Sequence, residues 1–301
     1  MSFSSEIKEE LSKLSNLANK EAVKYEFLGY LATNHVLIEE EKQSKKLKFS
    51  TENEYNINRF SKLLNNLQYT KYEIKIVGKT FSIIVQIPEL KELTYQKGQV
   101  VLEQELIKKQ IHKQEILQKA FVRGCFLGSG SINNPKNHYH LEIIFSQIKN
   151  AKFVLEILQE YDITFKQITK KQGYSIYAKD GEEISKFLAF VGANHSVLTF
   201  EEIRVYRDIR NNVNRKVNCE TANLNKTVNS ALKQIEAIQS LQEKGKLEKL
   251  SEGIQEIAKL RIAHPEASLA ELGAMLKVPI GKSGVNHRLK VIEKAAEKLS
   301  D

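Results

Sequence analysis

One run of residues constrains this chain more than any other: Phe121-Val122-Arg123-Gly124-Cys125-Phe126-Leu127-Gly128-Ser129-Gly130-Ser131. Gln114 to Ala120 ahead of it is helix-forming, and the cluster Gly128-Ser129-Gly130 both stops a helix and lets another backbone approach closely. A segment of the same make lies upstream, Glu26-Phe27-Leu28-Gly29-Tyr30-Leu31-Ala32-Thr33-Asn34-His35. Gly29 and Gly124 lie 95 residues apart, a suitable length for one repeat of an α/β half-domain.

The chain downstream of each segment repeats as well. After the first come a strand-like stretch from Leu47 to Ser50, a helix from Asn53 to Leu67 with Ile57, Phe60, Leu64 and Leu67 on one face, and two strands, Tyr72 to Val77 and Phe81 to Ile87. After the second come a strand from His140 to Phe145 and a helix from Asn150 to Tyr161 with Phe153, Val154, Ile157 and Leu158 inward. Two more strands succeed them, Ile163 to Thr169 and Tyr174 to Ala178, with Gly173 between them, and Gly181 to Val191 closes the unit as a helix. The pattern predicts a duplicated αββαββα unit of the α+β class.

Both glycine-bearing segments resemble the LAGLIDADG motif. That resemblance implies a pseudo-dimer in which two motif helices pack through small residues, with strand saddles that face a DNA groove. It also implies an acidic residue at the end of each helix, holding a divalent metal over the scissile phosphate. Aligned on the glycines, those acid positions are Asn34 and Ser129. An amide or a hydroxyl cannot offset the charge of a divalent ion, and Glu26 and Glu142 do not occupy the motif position. The expectation is a scaffold that does not cut, with no catalytic residue, metal or cofactor.

Composition sets the outer limits. At 301 residues and 41% hydrophobic content the chain can bury proper cores. Its net charge of +9 favours a polyanionic partner, although ordinary solubility would account for the surplus equally. Cys125 and Cys219 make neither a disulfide framework nor a zinc set, so a reducing cytoplasm is expected. The start Met1-Ser2-Phe3-Ser4-Ser5-Glu6 does not read as a signal peptide, and no apolar run reaches the roughly 18 residues of a membrane span. His138 and His140 share a strand face but lack a ligating partner, and read as surface residues. No phosphate-cradling glycine loop, nucleophile elbow or redox cysteine pair is present, so no small-molecule substrate is expected.

The C-terminal part has a different organisation. Gln239 to Lys249, with Gly245, reads as a hinge or a frayed helix. Beyond it Leu247, Leu250, Ile254, Ile257, Ala258 and Ile262 recur at helical spacing until Pro265. Ser268 with Glu271 forms a capping box opening a second helix at Leu269, with Leu272, Met275 and Leu276 on its core face. Lys277 to Gly284 breaks it, and a third helix from near Ser283 turns Val285, Leu289, Ile292, Ala296 and Leu299 inward. Three such helices read as a helix-turn-helix. On the last one Lys282, Ser283, Asn286, His287, Arg288 and Lys290 alternate with the buried positions, donors suited to base edges and phosphates. The plainer reading is a solvated basic helix.

Between the two parts, Ile203 to Lys233 carries Arg204, Arg207, Arg210, Arg215, Lys216, Lys226 and Lys233 against only Asp208 and Glu220. Asn211, Asn212, Asn214, Asn218, Asn223, Asn225 and Asn229 are interleaved, a polar surface suited to a nucleic-acid backbone. The alternative is a connector whose arginines pair with carboxylates of the neighbouring domain. Helical spacing is clear from Lys226 to Gln239, where Val228, Leu232, Ile235 and Ile238 repeat. The expected division is 1–100 and 101–200 for the two halves, 201–245 for the connector and 246–301 for the helix-turn-helix.

Taken whole, the chain resembles the WhiA family, whose members join a degenerate LAGLIDADG-like domain to a helix-turn-helix. The block from Asn214 through Asn218, Cys219 and Asn223 to Thr227 carries that resemblance, as does Lys282-Ser283-Gly284-Val285-Asn286-His287-Arg288-Leu289. Residues 36 to 100 match least. The resemblance implies a regulator that binds double-stranded DNA at the nucleoid, tied to cell division and chromosome segregation, and in sporulating relatives to transcription of sporulation genes. Two alternatives stay open: a maturase-like RNA-binding protein, and a docking platform for a division or regulatory protein with DNA binding secondary. A helix-turn-helix suits duplex DNA, because the A-form RNA major groove is too narrow for it.

Overall fold

The computed structural model describes residues 2–41, 44–96, 99–171 and 173–298, and the chain divides into two compact units, residues 1–208 and 209–301. In the first unit the chain opens with α1 (Phe3–Ser12) and α2 (Lys20–Leu31), the helix of the first glycine motif. Asn19 caps α2, its side chain accepting from the Ala22 N–H. Strands β1 (Val36–Glu41) and β2 (Ser44–Thr51), helix α3 (Glu54–Asn66), and strands β3 (Tyr72–Val77) and β4 (Thr80–Gln86) complete the first half. A hairpin of β5 (Leu93–Gln96) and β6 (Gln99–Leu102) and helix α4 (Gln104–Ile111) lead to the second motif helix, α5 (Glu115–Ser129). After it come β7 (Ser131–Ile132), β8 (Leu141–Phe145), α6 (Ile148–Gln159), β9 (Lys166–Lys170), β10 (Gly173–Ala178) and α7 (Gly181–Val191).

The two four-stranded sheets have the same order, β1-β2-β4-β3 and β7-β8-β10-β9, and every neighbouring pair is antiparallel. The fold is therefore the duplicated α+β unit expected from the motif pair. Along β8 alternate residues are buried, Leu141, Ile143 and Phe145, as a strand with one covered face requires. The aromatic rings of Phe27, Tyr30, Phe49 and Phe60 pack against one another in the core of the first half. The first strand of each half, β1 and β7, has no range among the elements expected from sequence, and helices α1 and α4 and the β5–β6 hairpin are additions to the expected unit. In β1 the apolar Val36-Leu37-Ile38 runs straight into Glu39-Glu40-Glu41, so the two-residue alternation of a half-buried strand is lost.

A charge cluster lies inside this unit. The Glu26 carboxylate accepts from Arg59 Nε at 2.7 Å and Nη2 at 2.9 Å, and from Arg123 Nε at 3.0 Å. Arg59 and Glu26 are each 1% exposed. Arg59 Nη1 and Arg123 Nη1 donate to the carbonyl oxygens of Leu14 and Val191, which helps to make two buried cations on one carboxylate tolerable.

Helix α8 (Asn194–Glu243) is continuous, whereas helical spacing is clear in the sequence only over Lys226 to Gln239. Asparagine is a weak helix former and seven of them thin the signal upstream. Its start is capped by α1, since the Glu10 carboxylate accepts from the His195 and Ser196 N–H groups at 2.7 and 2.9 Å. Val228 and Leu232 are exposed while Ile238 and Leu241 are buried.

In the second unit Gly245 takes a φ of +61° where α8 ends, a short 3-10 turn covers Leu247–Lys249, and three helices complete the chain: α9 (Glu252–Ala263), α10 (Leu269–Met275) and α11 (Lys282–Glu297). Ile257, Ala258, Leu272, Leu276, Val285, Leu289 and Ile292 form their shared core together with Ile238 and Leu241. Met275 is 46% exposed and does not belong to that core, because α10 ends there and the chain turns away. Leu299 lies outside the described residues.

Candidate nucleic-acid interface

The crossing of α2 and α5 is fixed by its two glycines. A Cβ on Gly29 would lie 2.1 Å from Phe121 O, and one on Gly124 would lie 2.0 Å from Glu26 O. Only glycine lets the two backbones touch. Beyond the crossing the former acid positions converge on the backbone of one residue of the second sheet, Ile144. Ser129 Oγ donates to Ile144 O at 2.6 Å and accepts from Ile144 N–H at 3.0 Å, while the Asn34 N–H donates to the same oxygen at 3.3 Å. Ser129 is 5% exposed and its hydroxyl is fully engaged in both directions. The Asn34 Oδ1 atom is buried and, among the described residues, has no hydrogen-bond partner. Among the described residues no three His, Cys, Asp or Glu side chains are placed to hold a metal ion. Glu26 sits in the buried arginine cluster, and Glu142 is taken up by Lys170 and Ser175, which hold its carboxyl below the ordinary carboxylate range against the opposing effect of burial, its largest single influence.

In the second unit the expected capping box is present: Ser268 Oγ accepts from the Glu271 N–H at 3.3 Å and the Glu271 carboxylate accepts from the Ser268 N–H at 2.7 Å. The turn into α11 depends on Gly273, where a Cβ would lie 2.2 Å from Ile280 O. That close approach, with a 3.1 Å bond from Ile280 N to Gly273 O, sets the α10–α11 corner. At the start of α11 Lys282, Ser283, His287 and Lys290 are exposed and Asn286 is half-buried. Arg288 is placed differently from its neighbours, because its Nη1 donates to Gly253 O at 3.0 Å and ties α11 to the first turn of α9. Arg261, missed in the sequence, is 2% exposed and donates to the carbonyls of Pro265 and Ala267, which holds the loop ahead of α10. Burial holds its guanidinium below the ordinary arginine range.

Along α8 the basic residues divide. Arg204 pairs with Glu201 at 2.7 Å, and Arg207 lies 4.4 Å over the Tyr139 ring and donates to Pro135 O. Both are engaged within the first unit, but among the described residues neither pairs with a carboxylate of the duplicated domain, since Glu201 lies on α8 itself. Arg210, Arg215, Lys216, Asn218, Asn223 and Lys226 are all exposed. At 100° per residue, Arg215, Asn218 and Lys226 fall on one side of the helix, and Ile209, Val213, Val217 and Leu224 fall on the other, also exposed.

Two family models match the chain: the WhiA LAGLIDADG-like domain over residues 118–210 and the WhiA C-terminal HTH domain over residues 213–296. A "Probable cell division protein WhiA" of Clostridium novyi is 37% identical over 314 residues, covering 99% of this chain and 98% of that one. A protein of the same description from Thermoanaerobacter sp. is 39% identical over 317 residues, covering 100% and 99%. Among solved structures, the crystal structure of full-length DUF199/WhiA from Thermatoga maritima is 28% identical, covers 99% of both chains and superposes with a TM-score of 0.59. With the doubled glycine crossing at one end and the three-helix unit at the other, these matches establish that the chain belongs to the WhiA family.

Proposed function

We propose that this protein is a DNA-binding regulator acting in cell division, in which the three-helix unit reads duplex sequence and the exposed basic side of α8 adds phosphate contacts. The observation that carries this is the start of α11. Lys282, Ser283, His287 and Lys290 are exposed on a helix whose N-cap makes no side-chain hydrogen bond, so side-chain and backbone donors face outward together. Asn286 is the candidate base reader, because an amide pairs bidentately with adenine. The duplicated domain does not cut, since Ser129 is spent on Ile144 and Asn34 carries no charge. Roles in chromosome segregation and in transcription of sporulation genes, at the nucleoid, extend the same reading. A docking role for division proteins draws support from the exposed apolar side of α8.

Fluorescence anisotropy on duplexes selected from the source genome, on RNA of matching sequence, and across a salt series with Mg²⁺ tests this. Asn286→Ala is expected to weaken selected sites by about 1–3 kcal/mol with little effect on random duplex. Arg215→Ala with Lys226→Ala is expected to weaken all duplexes alike and to flatten the salt slope by about two. Tighter binding to RNA, or cleaved duplex in the Mg²⁺ samples, would overturn the reading.

A further inference from the structure

A cavity of about 730 Å³ lies in the first unit beside the former acid position, lined by α1, the end of α2 and the β2–α3 turn. Lys8 reaches it from α1, half-buried, with no carboxylate within ion-pair distance among the described residues. A lysine partly withdrawn from water with no counter-ion carries an uncompensated cost. Burial brings its amine down to about 8, and the same charge, after burial, helps to hold the nearby His35 imidazole low.

Four hydroxyls of this cavity accept hydrogen bonds and, among the described residues, donate none. Ser2 Oγ accepts from the Ser5 N–H at 3.2 Å, Ser4 Oγ from the Ile132 N–H at 3.4 Å, Ser5 Oγ from Asn53 Nδ2 at 2.9 Å, and Thr51 Oγ1 from the Asn53 N–H at 3.2 Å. Each hydroxyl still has one O–H to donate. On the same wall the Asn34 Oδ1 atom, unpartnered among the described residues, is able to take a ligand's hydroxyl or a protonated phosphate oxygen. Glu52, exposed, is the carboxylate among the lining residues.

We propose that this cavity binds a phosphoryl group, with the Lys8 ammonium as counter-ion and the hydroxyls of Ser2, Ser4, Ser5 and Thr51 as oxyanion donors. An ammonium with several O–H donors matches a tetrahedral oxyanion, since every phosphate oxygen needs donors and one full positive charge offsets the desolvation. The phosphoryl group comes either from a free phosphorylated small molecule or from a DNA backbone, and the chemistry is shared. This site is independent of the α11 reading.

The test is isothermal titration of the full-length protein with sodium pyrophosphate, and anisotropy on a 20-base-pair duplex, for the wild type, Lys8→Met, Lys8→Arg and Ser5→Ala, each first shown by circular dichroism to be folded. Lys8→Met is expected to weaken pyrophosphate about tenfold or more, Lys8→Arg and Ser5→Ala by less. Glu52→Gln is expected to tighten it. If pyrophosphate and duplex compete and Lys8→Met lowers the duplex salt slope by about one, the phosphate is the backbone's. If duplex binding is untouched while pyrophosphate is lost, the ligand is free. The proposal fails if wild-type protein does not take up pyrophosphate and Lys8→Met leaves duplex affinity unchanged, or if Lys8→Met binds pyrophosphate as the wild type does. Because Asn286→Ala leaves this cavity intact, it should keep pyrophosphate binding whatever it does to DNA.

Discussion

Asn56 and Asn150 are the third residues of α3 and α6, and each closes the motif helix of the opposite half. Asn56 Nδ2 donates to Leu127 O in the last turn of α5 at 2.7 Å, and Asn150 Nδ2 donates to Ala32 O at the end of α2 at 3.1 Å. Both side chains are buried, at 0% and 2% exposure. The last carbonyls of a helix have no partner within it, so here each half of the molecule satisfies the other's orphan acceptors.

Replacing either asparagine by leucine, close in volume, should leave a buried carbonyl unpaired. The expected loss is about 1–3 kcal/mol for each, read from urea unfolding of the whole protein. Asn56→Leu should cost more, because it also strips the buried Tyr30 Oη of its acceptor, whereas Gln104 Nε2, which donates to Asn150 Oδ1 at 3.1 Å, is only partly buried and can turn to water. Two variants with wild-type midpoints would mean that the caps are replaced by water.

The glycine crossing leads to a harsher expectation. With a Cβ on Gly124 lying 2.0 Å from Glu26 O, Gly124→Ala cannot be absorbed by a rotamer change, since the obstacle is backbone. The helices must separate, carrying Glu26 away from Arg59 and Arg123. Loss of about 3 kcal/mol or more is expected, seen as a fall in the melting temperature of the first unit. Gly128→Ala should be milder, because the clash there is with the Thr33 side chain.

These two cases show what was legible in the chain and what was not. Gly29 and Gly124 were readable because a glycine within an apolar helix is a local signal, and so was the Ser268–Glu271 box, whose partners are three residues apart. Asn56 with Leu127, and Glu26 with Arg59 and Arg123, join positions tens of residues apart through polar types that ordinarily lie on the surface. Arg207 and Arg288 had the composition of a nucleic-acid surface, yet one stacks on Tyr139 and the other bonds Gly253. Charge pattern marks the face of a helix; only packing decides which cation on that face is already spent.

Ser129→Asp restores an acidic residue at one motif position, but not the chemistry that such a residue would serve. The new carboxylate would face Ile144 O, an acceptor against an acceptor, where Ser129 now donates. Destabilisation by about 1–3 kcal/mol is expected, and no Mg²⁺-dependent nicking of supercoiled plasmid, even combined with Asn34→Asp. Nicking by the double variant would show that the site can still assemble.

Lys8 gives the first unit a dependence on pH whose sign is set by its burial. Folding lowers its pKa from 10.5 to about 8, so between those values the unfolded chain holds more protons than the folded one. Stability therefore rises with pH across that window, and the penalty of the buried charge is fully present below it. His35, whose imidazole is held low by burial and then by the Lys8 charge, faces the same cavity, as does the Glu52 side chain. Urea midpoints measured from about pH 8 to pH 10 should climb for the wild type relative to Lys8→Met. Parallel curves for the two proteins would mean that the amine stays hydrated.

Arg288 separates stability from recognition in the second unit. Its Nη1 bond to Gly253 O is possible because position 253 has no side chain, a Cβ there lying 3.0 Å from the guanidinium carbon. Arg288→Ala should lower the unfolding free energy of the second unit by about 1–2 kcal/mol, and Gly253→Ala should do part of the same by pushing the guanidinium aside. Affinity for selected and random duplex should then fall together, because α11 is less well held. A drop confined to the selected duplex, at unchanged stability, would instead place Arg288 on a base beside Asn286.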